Sequence, residues 1–139
     1  MMNVRPATTE DADAVLAITK WFATTFTIDE AAFADSFAVI LLEPSACFLV
    51  AEANGELIGY VLAYEHPTLY ANARVAWVDE LAVNEEHRRS GIGRALMAAV
   101  EQWARERGDV AVTLATRRAA EFYKVLGYAE SATYFQKLL

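Results

Sequence analysis

Cysteine is close to absent from this sequence: Cys47 is the sole one, which excludes an internal disulfide. It sits in the apolar run Cys47-Phe48-Leu49-Val50 and reads as a core residue. A nucleophilic thiol needs a base beside it, and the sequence places neither of the two histidines, His66 and His87, near Cys47. Histidines so few and so unrelated in position offer no ligand set for a metal, and none is expected. Proline is scarce as well, with Pro6, Pro44 and Pro67 scattered along the chain. With no Ser/Gly tract, repeat or low-complexity segment, nothing marks a linker. Residues 1–139 are expected to form one domain, long enough for a real core and too short for two ordinary ones.

Long hydrophobic runs are also missing. The longest, Phe37 to Leu42 and Ile58 to Tyr64, fall far short of the ~20 residues that a spanning helix requires, so no membrane partner is expected. Met1-Met2-Asn3-Val4-Arg5-Pro6 lacks the apolar centre of a secretory signal, and the expectation is a cytoplasmic protein. Positive charge is outnumbered, with 12 Lys and Arg against 19 Asp and Glu and a net charge of -7. Nucleic acid rewards the opposite balance, so no nucleic-acid partner is expected. A cationic partner suits the excess better, beside its ordinary service to solubility.

What is present is a folding composition, 55% hydrophobic and 22% charged. Asn3-Val4-Arg5-Pro6-Ala7 reads as an edge strand, where proline is tolerated. Thr8-Thr9-Glu10-Asp11 caps a helix on which Val15, Ile18 and Phe22 keep helical spacing. Thr27-Ile28-Asp29-Glu30 has the form of a capping box with Thr27 as the cap, and the helix it opens is closed by Pro44. Strand-like runs at Cys47–Glu52 and Leu57–Glu65 flank Asn54-Gly55, a strong hairpin signal. A third, Arg74–Val83, carries two adjacent acids, Asp79 and Glu80. A helical pattern follows from Gly91 to Arg107 with Gly108 as its stop. Val110–Ala115 reads as a strand, Arg118–Leu126 as a short helix and Tyr128–Leu139 as a small β segment. The order is that of an α/β fold with a strand–helix–strand crossover in its second half.

The informative segment joins the strand ending at Val83 to the helix opening near Gly91. A helix start carries unpartnered N–H groups and partial positive charge, which suit an anion. Gly91 and Gly93 present no side chain to hold an anion away, and Arg88, Arg89 and Arg94 concentrate positive charge in an acidic chain. A phosphorylated ligand is expected. A dinucleotide turn is excluded, because Leu96 stands where a third Gly or Ala is needed and Thr116-Arg117 where the next strand should end in an acid. The Gly-Lys-Ser/Thr of a P-loop is absent.

Arg88-Arg89-Ser90-Gly91-Ile92-Gly93 matches Gln or Arg, two residues, Gly, one residue, then Gly or Ala, after a strand and opening a helix. In this the chain resembles the GNAT superfamily of acyl-CoA-dependent N-acyltransferases. Asp79-Glu80-Leu81-Ala82-Val83 before the turn, Leu96 after it, Ala119-Ala120-Glu121-Phe122-Tyr123 and Gly127-Tyr128 agree with it. One position departs: Thr116 stands three before Ala119, where the family often has Asn.

The resemblance implies a mixed, mostly antiparallel sheet of about six to seven strands, with helices on both faces and a splayed strand pair for CoA. It implies acetyl-CoA as cosubstrate and an N-acetyltransferase moving an acetyl group to a primary amine of a small molecule, peptide or protein by direct attack. The alternative is a non-catalytic acyl-CoA-binding sensor or regulatory domain of the same fold. The pyrophosphate falls to Arg88, Arg89, Ser90, Gly91, Ile92, Gly93 and Arg94, and the pantetheine arm to Leu81, Ala82 and Val83, with Thr116 and Tyr123 nearby. A backbone N–H at Leu81 or its neighbour is the candidate oxyanion donor. Glu80 is the candidate general base, since an acid in an apolar strand is desolvated, with Asp79 facing the other side by strand alternation. Tyr123 is the candidate acid for the thiolate. Phe26, Tyr64, His66, Tyr70 and Trp77, with Glu65, are candidates for the acceptor amine. A symmetric homodimer is the expected assembly.

Overall fold

A computed structural model describes residues 2–139, and Met1 lies outside them. Asn54 and Gly55 both take positive φ, 54° and 78°, the backbone of a two-residue turn whose twist matches paired strands. They close β2 (Ala46–Ala53) onto β3 (Glu56–Pro67). β1 (Met2–Pro6) adds to β2 and β4 (Arg74–Val83) to β3, all antiparallel. β5 (Val112–Leu114) then joins β4 in parallel, which completes a sheet ordered β1-β2-β3-β4-β5.

Helices cover both faces. On one lie α1 (Ala12–Phe22) and α2 (Glu30–Leu41), where Val15, Ile18 and Phe37 pack against Val50, Tyr60 and Ala82. On the other lies α3 (Ile92–Glu106), whose Leu96, Met97 and Val100 are fully buried over Ala51, Val61 and Ala63. Burial of each such aliphatic side chain contributes roughly 1.5–3 kcal/mol. Between β5 and the tail, α4 (Ala120–Val125) lays Phe122 and Tyr123 against the α3 side of the core.

The sheet has five strands among the described residues and not six or seven. The difference lies at the end of the chain, where the expected β segment at Tyr128–Leu139 forms no strand. β5 is three residues long, so its outer edge offers little template for a further ladder. The tail is held by side chains instead: Tyr134 stacks on Trp77 with ring centres 6.3 Å apart, and Arg117 donates to Gln136 Oε1 at 3.2 Å. The cap of α2 also differs. Asp29, not Thr27, accepts from the Ala31 amide at 3.1 Å, and the helix starts at Glu30, because Asp is an equally good cap two residues closer to the apolar face.

Candidate functional site

β4 carries a bulge where its two acids stand. Glu80 lies opposite Leu62 and Val78 opposite Ala63, so Asp79 has no partner on β3. A bulge re-aims everything beyond it. Before it, the Ala76 amide donates to Ala111 O at 3.0 Å, toward the β5 side. After it, the Asn84 amide donates to Ile58 O at 2.7 Å. By the alternation of an antiparallel ladder, Ala82 and Glu80 therefore address β3, and Leu81 and Val83 turn their N–H and C=O groups outward. On that side β5 ends at Leu114, opposite Val78. Among the described residues no strand pairs with Leu81 to Val83 there, and the two strands splay around a strip of free backbone.

The chain then enters the glycine turn. Arg89 and Gly91 take left-handed φ values of 66° and 82°, and such alternation curls the backbone so that its N–H groups converge. α3 opens at Ile92 without a side-chain cap. Among the described residues the amides of Arg89 to Arg94 donate no hydrogen bond, and the first that does is Ala95, to Gly91 O at 3.0 Å. The two glycines serve different ends. A side chain at Gly91 would meet no atom within 4 Å, so glycine is there for its φ, whereas at Gly93 a Cβ would stand 3.0 Å from Phe122 Cζ. Gly93 lets α4 close on α3, a role the sequence does not reveal.

Turn, free strip, the end of α1 and the start of α4 enclose one cleft of about 1450 Å³. Glu80, Leu81, Ala82, Val83, Arg88, Arg89, Gly91, Ile92, Gly93, Arg94, Thr116 and Tyr123 all line it, and Ser90 does not. Thr116 Oγ1 accepts from the Ala119 amide at 3.0 Å, which positions the start of α4 and leaves the hydroxyl proton free. Tyr123 makes T-shaped contacts with Phe122 and Tyr128, with ring centres 4.9 and 5.8 Å away. Burial pushes its hydroxyl above the ordinary tyrosine value, so it holds its proton at neutral pH.

Glu80 is half-buried, and its Oε1 accepts from the Tyr60 hydroxyl at 2.7 Å. Tyr60 Oη lies 3.0 Å from Thr19 Oγ1, which is itself 2.8 Å from Val15 O in α1. Burial holds the Glu80 carboxyl above the usual carboxylate range, assisted by Asp79 and opposed by the Tyr60 hydrogen bond. Asp79 does not turn away as alternation predicts; the bulge leaves both acids lining the cleft.

The cleft is also lined by Trp77, by Tyr134 stacked on it, and by Trp21, Phe22 and Phe26. Phe26 and Trp77 were expected there, while Tyr64, His66 and Tyr70 stand outside it. Glu65 is only 4% exposed. It is bound by Arg107, whose Nε donates to Oε1 at 2.6 Å, and this holds its carboxyl below the usual range. Glu65 therefore ties β3 to the end of α3 and does not receive an amine. Tyr60, Thr19, Trp21, Phe22 and Tyr134 escaped the sequence reading because core packing explains each of them equally well; Thr19 alone carried a signal, a hydroxyl on the helical face of Val15 and Phe22.

No helix of the described residues is long and apolar enough to cross a membrane, and no group of His, Cys, Asp and Glu among them is arranged to hold a metal. The model of the acetyltransferase (GNAT) family matches residues 15–128. An aminoalkylphosphonate N-acetyltransferase of Salmonella typhimurium strain LT2 is 34% identical over 141 aligned residues, covering 99% of this chain and 91% of that one. Among solved structures, a transcriptional regulator from Bacillus halodurans C-125 superposes with a TM-score of 0.90 at 20% identity over the whole of both chains. AAC(6')-Iy in complex with the bisubstrate analog CoA-S-monomethyl-acetylneamine superposes with a TM-score of 0.84 at 18% identity, covering 100% of this chain and 99% of that one. At such identities the structures share the fold, while the family match and the Salmonella relative carry the kinship. With its splayed β4, its unpaired glycine turn and these relatives, the chain belongs to the GNAT family as an N-acetyltransferase.

Proposed function

We propose that residues 1–139 form a single domain that moves an acetyl group from acetyl-CoA to the primary amine of a small cationic molecule. The observation that carries this reading is the position of Glu80, a half-buried carboxylate in a cleft also lined by five residues of the turn whose amides are undonated, Arg89, Gly91, Ile92, Gly93 and Arg94, and by an open strand edge. Those amides and Arg88, Arg89 and Arg94 suit the pyrophosphate. The outward groups of Leu81 and Val83 suit the amides of an extended pantetheine arm. When bound, acetyl-CoA supplies an activated carbonyl and a thiolate leaving group. Glu80 takes a proton from the ammonium to free its lone pair. The outward Leu81 N–H is placed for the oxyanion, a contribution of the kind whose removal costs about 2.7–4 kcal/mol. The amine nitrogen then attacks the thioester carbon, and as the C–S bond breaks Tyr123 Oη protonates the sulfur and regains a proton from the acylated nitrogen.

The ligand test separates conformation from charge in the turn. Acetyl-CoA at about 100 times its dissociation constant stabilises by about 2.7 kcal/mol, or roughly 8 °C in Tm for a chain of this size. Gly91→Val forces a β-branched residue to φ 82° and is expected to remove that rise. Arg89→Gly keeps the left-handed turn and loses a charge, so a reduced rise is expected. An undiminished rise in Gly91→Val would move the pyrophosphate elsewhere.

For the acceptor, the Salmonella relative's name suggests an aminoalkylphosphonate, yet the Trp77 end of this cleft carries Asp79, Glu80 and aromatic faces. These favour a second positive charge on an apolar body. The nearby Arg117 is engaged with Gln136. We expect kcat/KM to rank an α,ω-diamine above a monoamine of equal length, and both above aminomethylphosphonate. Phosphonate first would assign the Trp77 end to an anion held by Arg117 and Arg118. Acetyl-CoA binding with no CoA release from any amine would leave the sensor reading in place.

A further inference from the structure

Behind Glu80 run three hydroxyl contacts in series: Glu80 Oε1 to Tyr60 Oη at 2.7 Å, Tyr60 Oη to Thr19 Oγ1 at 3.0 Å, and Thr19 Oγ1 to Val15 O at 2.8 Å. Each contact needs one proton, and a hydroxyl has one to give. When Glu80 is ionised, Tyr60 and Thr19 together hold two protons for three contacts. Tyr60 must face the carboxylate, and Thr19 can satisfy either Tyr60 Oη or Val15 O. When Glu80 is protonated the series is complete: Glu80 donates to Tyr60, Tyr60 to Thr19, and Thr19 to Val15 O. Tyr60 is 2% exposed, so water does not readily make good the missing donor.

We infer that Tyr60 and Thr19 form a reversible hydroxyl chain that completes its hydrogen bonds only when Glu80 takes up a proton, which makes both of them positioning residues for the base. The proton Glu80 accepts is its own; Tyr60 rotates its O–H from Glu80 to Thr19, and no other proton changes owner. The inference rests on Glu80 as the base only for its catalytic meaning, since the chain acts on the carboxyl whatever its role. Other groups around Glu80 do not substitute for it. Asp79 on β4 and Tyr64 on β3 are the neighbours that share its field. Tyr123 on α4 and His87, Arg88, Arg89 and Arg94 of the turn line the same cleft without a hydrogen bond to Glu80. Lys20 on α1 is paired with Glu30 at 2.6 Å.

Two nearly isosteric variants are expected to move the Glu80 titration in opposite directions. Thr19→Val leaves Tyr60 free to serve the carboxylate but gives its proton nowhere to go once Glu80 is protonated, so the Glu80 pKa falls, by about 0.5–1 unit. Tyr60→Phe removes the charge-assisted bond to the ionised form; of the two neutral bonds lost from the protonated form, the one given by the Glu80 O–H is remade to water in the cleft that Glu80 lines, so the larger loss falls on the ionised form and the pKa rises by about 0.5–1 unit. Thr19→Ser keeps the hydroxyl and the wild-type value. The direct measurement is a ¹³C-carboxyl NMR titration of the folded proteins, with the Glu80 resonance assigned by its loss in Glu80→Gln. The acid limb of the kcat/KM profile on one amine is recorded in parallel. Opposite shifts in the NMR titration establish the chain, and a parallel movement of the acid limb ties it to catalysis. Shifts of one sign, or none, overturn it. If the carboxyl titrations shift as expected while the limb stays fixed, the chain stands and the assignment of Glu80 as base fails.

Discussion

Glu80→Gln is expected to lower kcat about 10²–10⁴-fold near neutral pH, the range for loss of a positioned general base, with acetyl-CoA affinity nearly unchanged. The side chain keeps its shape and its reach to Tyr60 while losing the ability to accept a proton. The loss should shrink as pH rises, because more of the amine then arrives without its proton. Stability should move the other way. Burial raises the Glu80 carboxyl in the fold, so the folded chain binds that proton more tightly than the unfolded one. Its contribution to folding is present below the unfolded value and is lost as pH rises through the folded value. At pH 7 the ionised carboxylate therefore costs stability, and the glutamine variant should melt no lower than wild type, with its advantage fading toward pH 4. Stopped-flow or thiol-coupled turnover across pH, together with thermal melts at the same pH values, measures both. An equal loss of turnover at every pH would make Glu80 a positioning group and not the base.

Tyr123→Phe is expected to lower kcat by about 10-fold, and by up to 10⁴-fold if sulfur protonation limits the rate. The smaller figure is favoured because a thiolate is a fairly stable leaving group near neutral pH. Phenylalanine preserves the ring and its edge contacts with Phe122 and Tyr128, so packing is held constant while the hydroxyl goes. Burial keeps that hydroxyl protonated, the state an acid must be in. KM for acetyl-CoA should stay within a few-fold, since ground-state binding does not need the proton. Steady-state kinetics on one amine decide it, and wild-type turnover would return Tyr123 to the core. The Gly93–Phe122 contact sharpens the case. A methyl group at Gly93 would press on Phe122 Cζ at 3.0 Å and displace the neighbouring Tyr123.

The sequence by itself determined the features written in local backbone chemistry. Asn54-Gly55 set the hairpin because few residues other than Asn and Gly accept two successive positive φ values. Arg89 to Arg94 announced a run of undonated amides because a glycine turn at a helix start leaves them free whatever lies around it. Glu80 stood out as an acid in an apolar strand. The tertiary structure alone decided everything that depended on which face meets which. A one-residue bulge at Asp79 reverses the alternation of β4. The direction of Leu81 and Val83, and the presence of two acids in one cleft, therefore could not be counted from residue spacing. Glu65 and Tyr60 show the same limit. Each is a polar side chain on a strand, and only long-range packing against Arg107 in one case, and against Glu80 and Thr19 in the other, separates a structural ion pair from a hydroxyl partner of Glu80. The tail repeats the lesson, since a strand needs an edge to pair with, and β5 is too short to offer one.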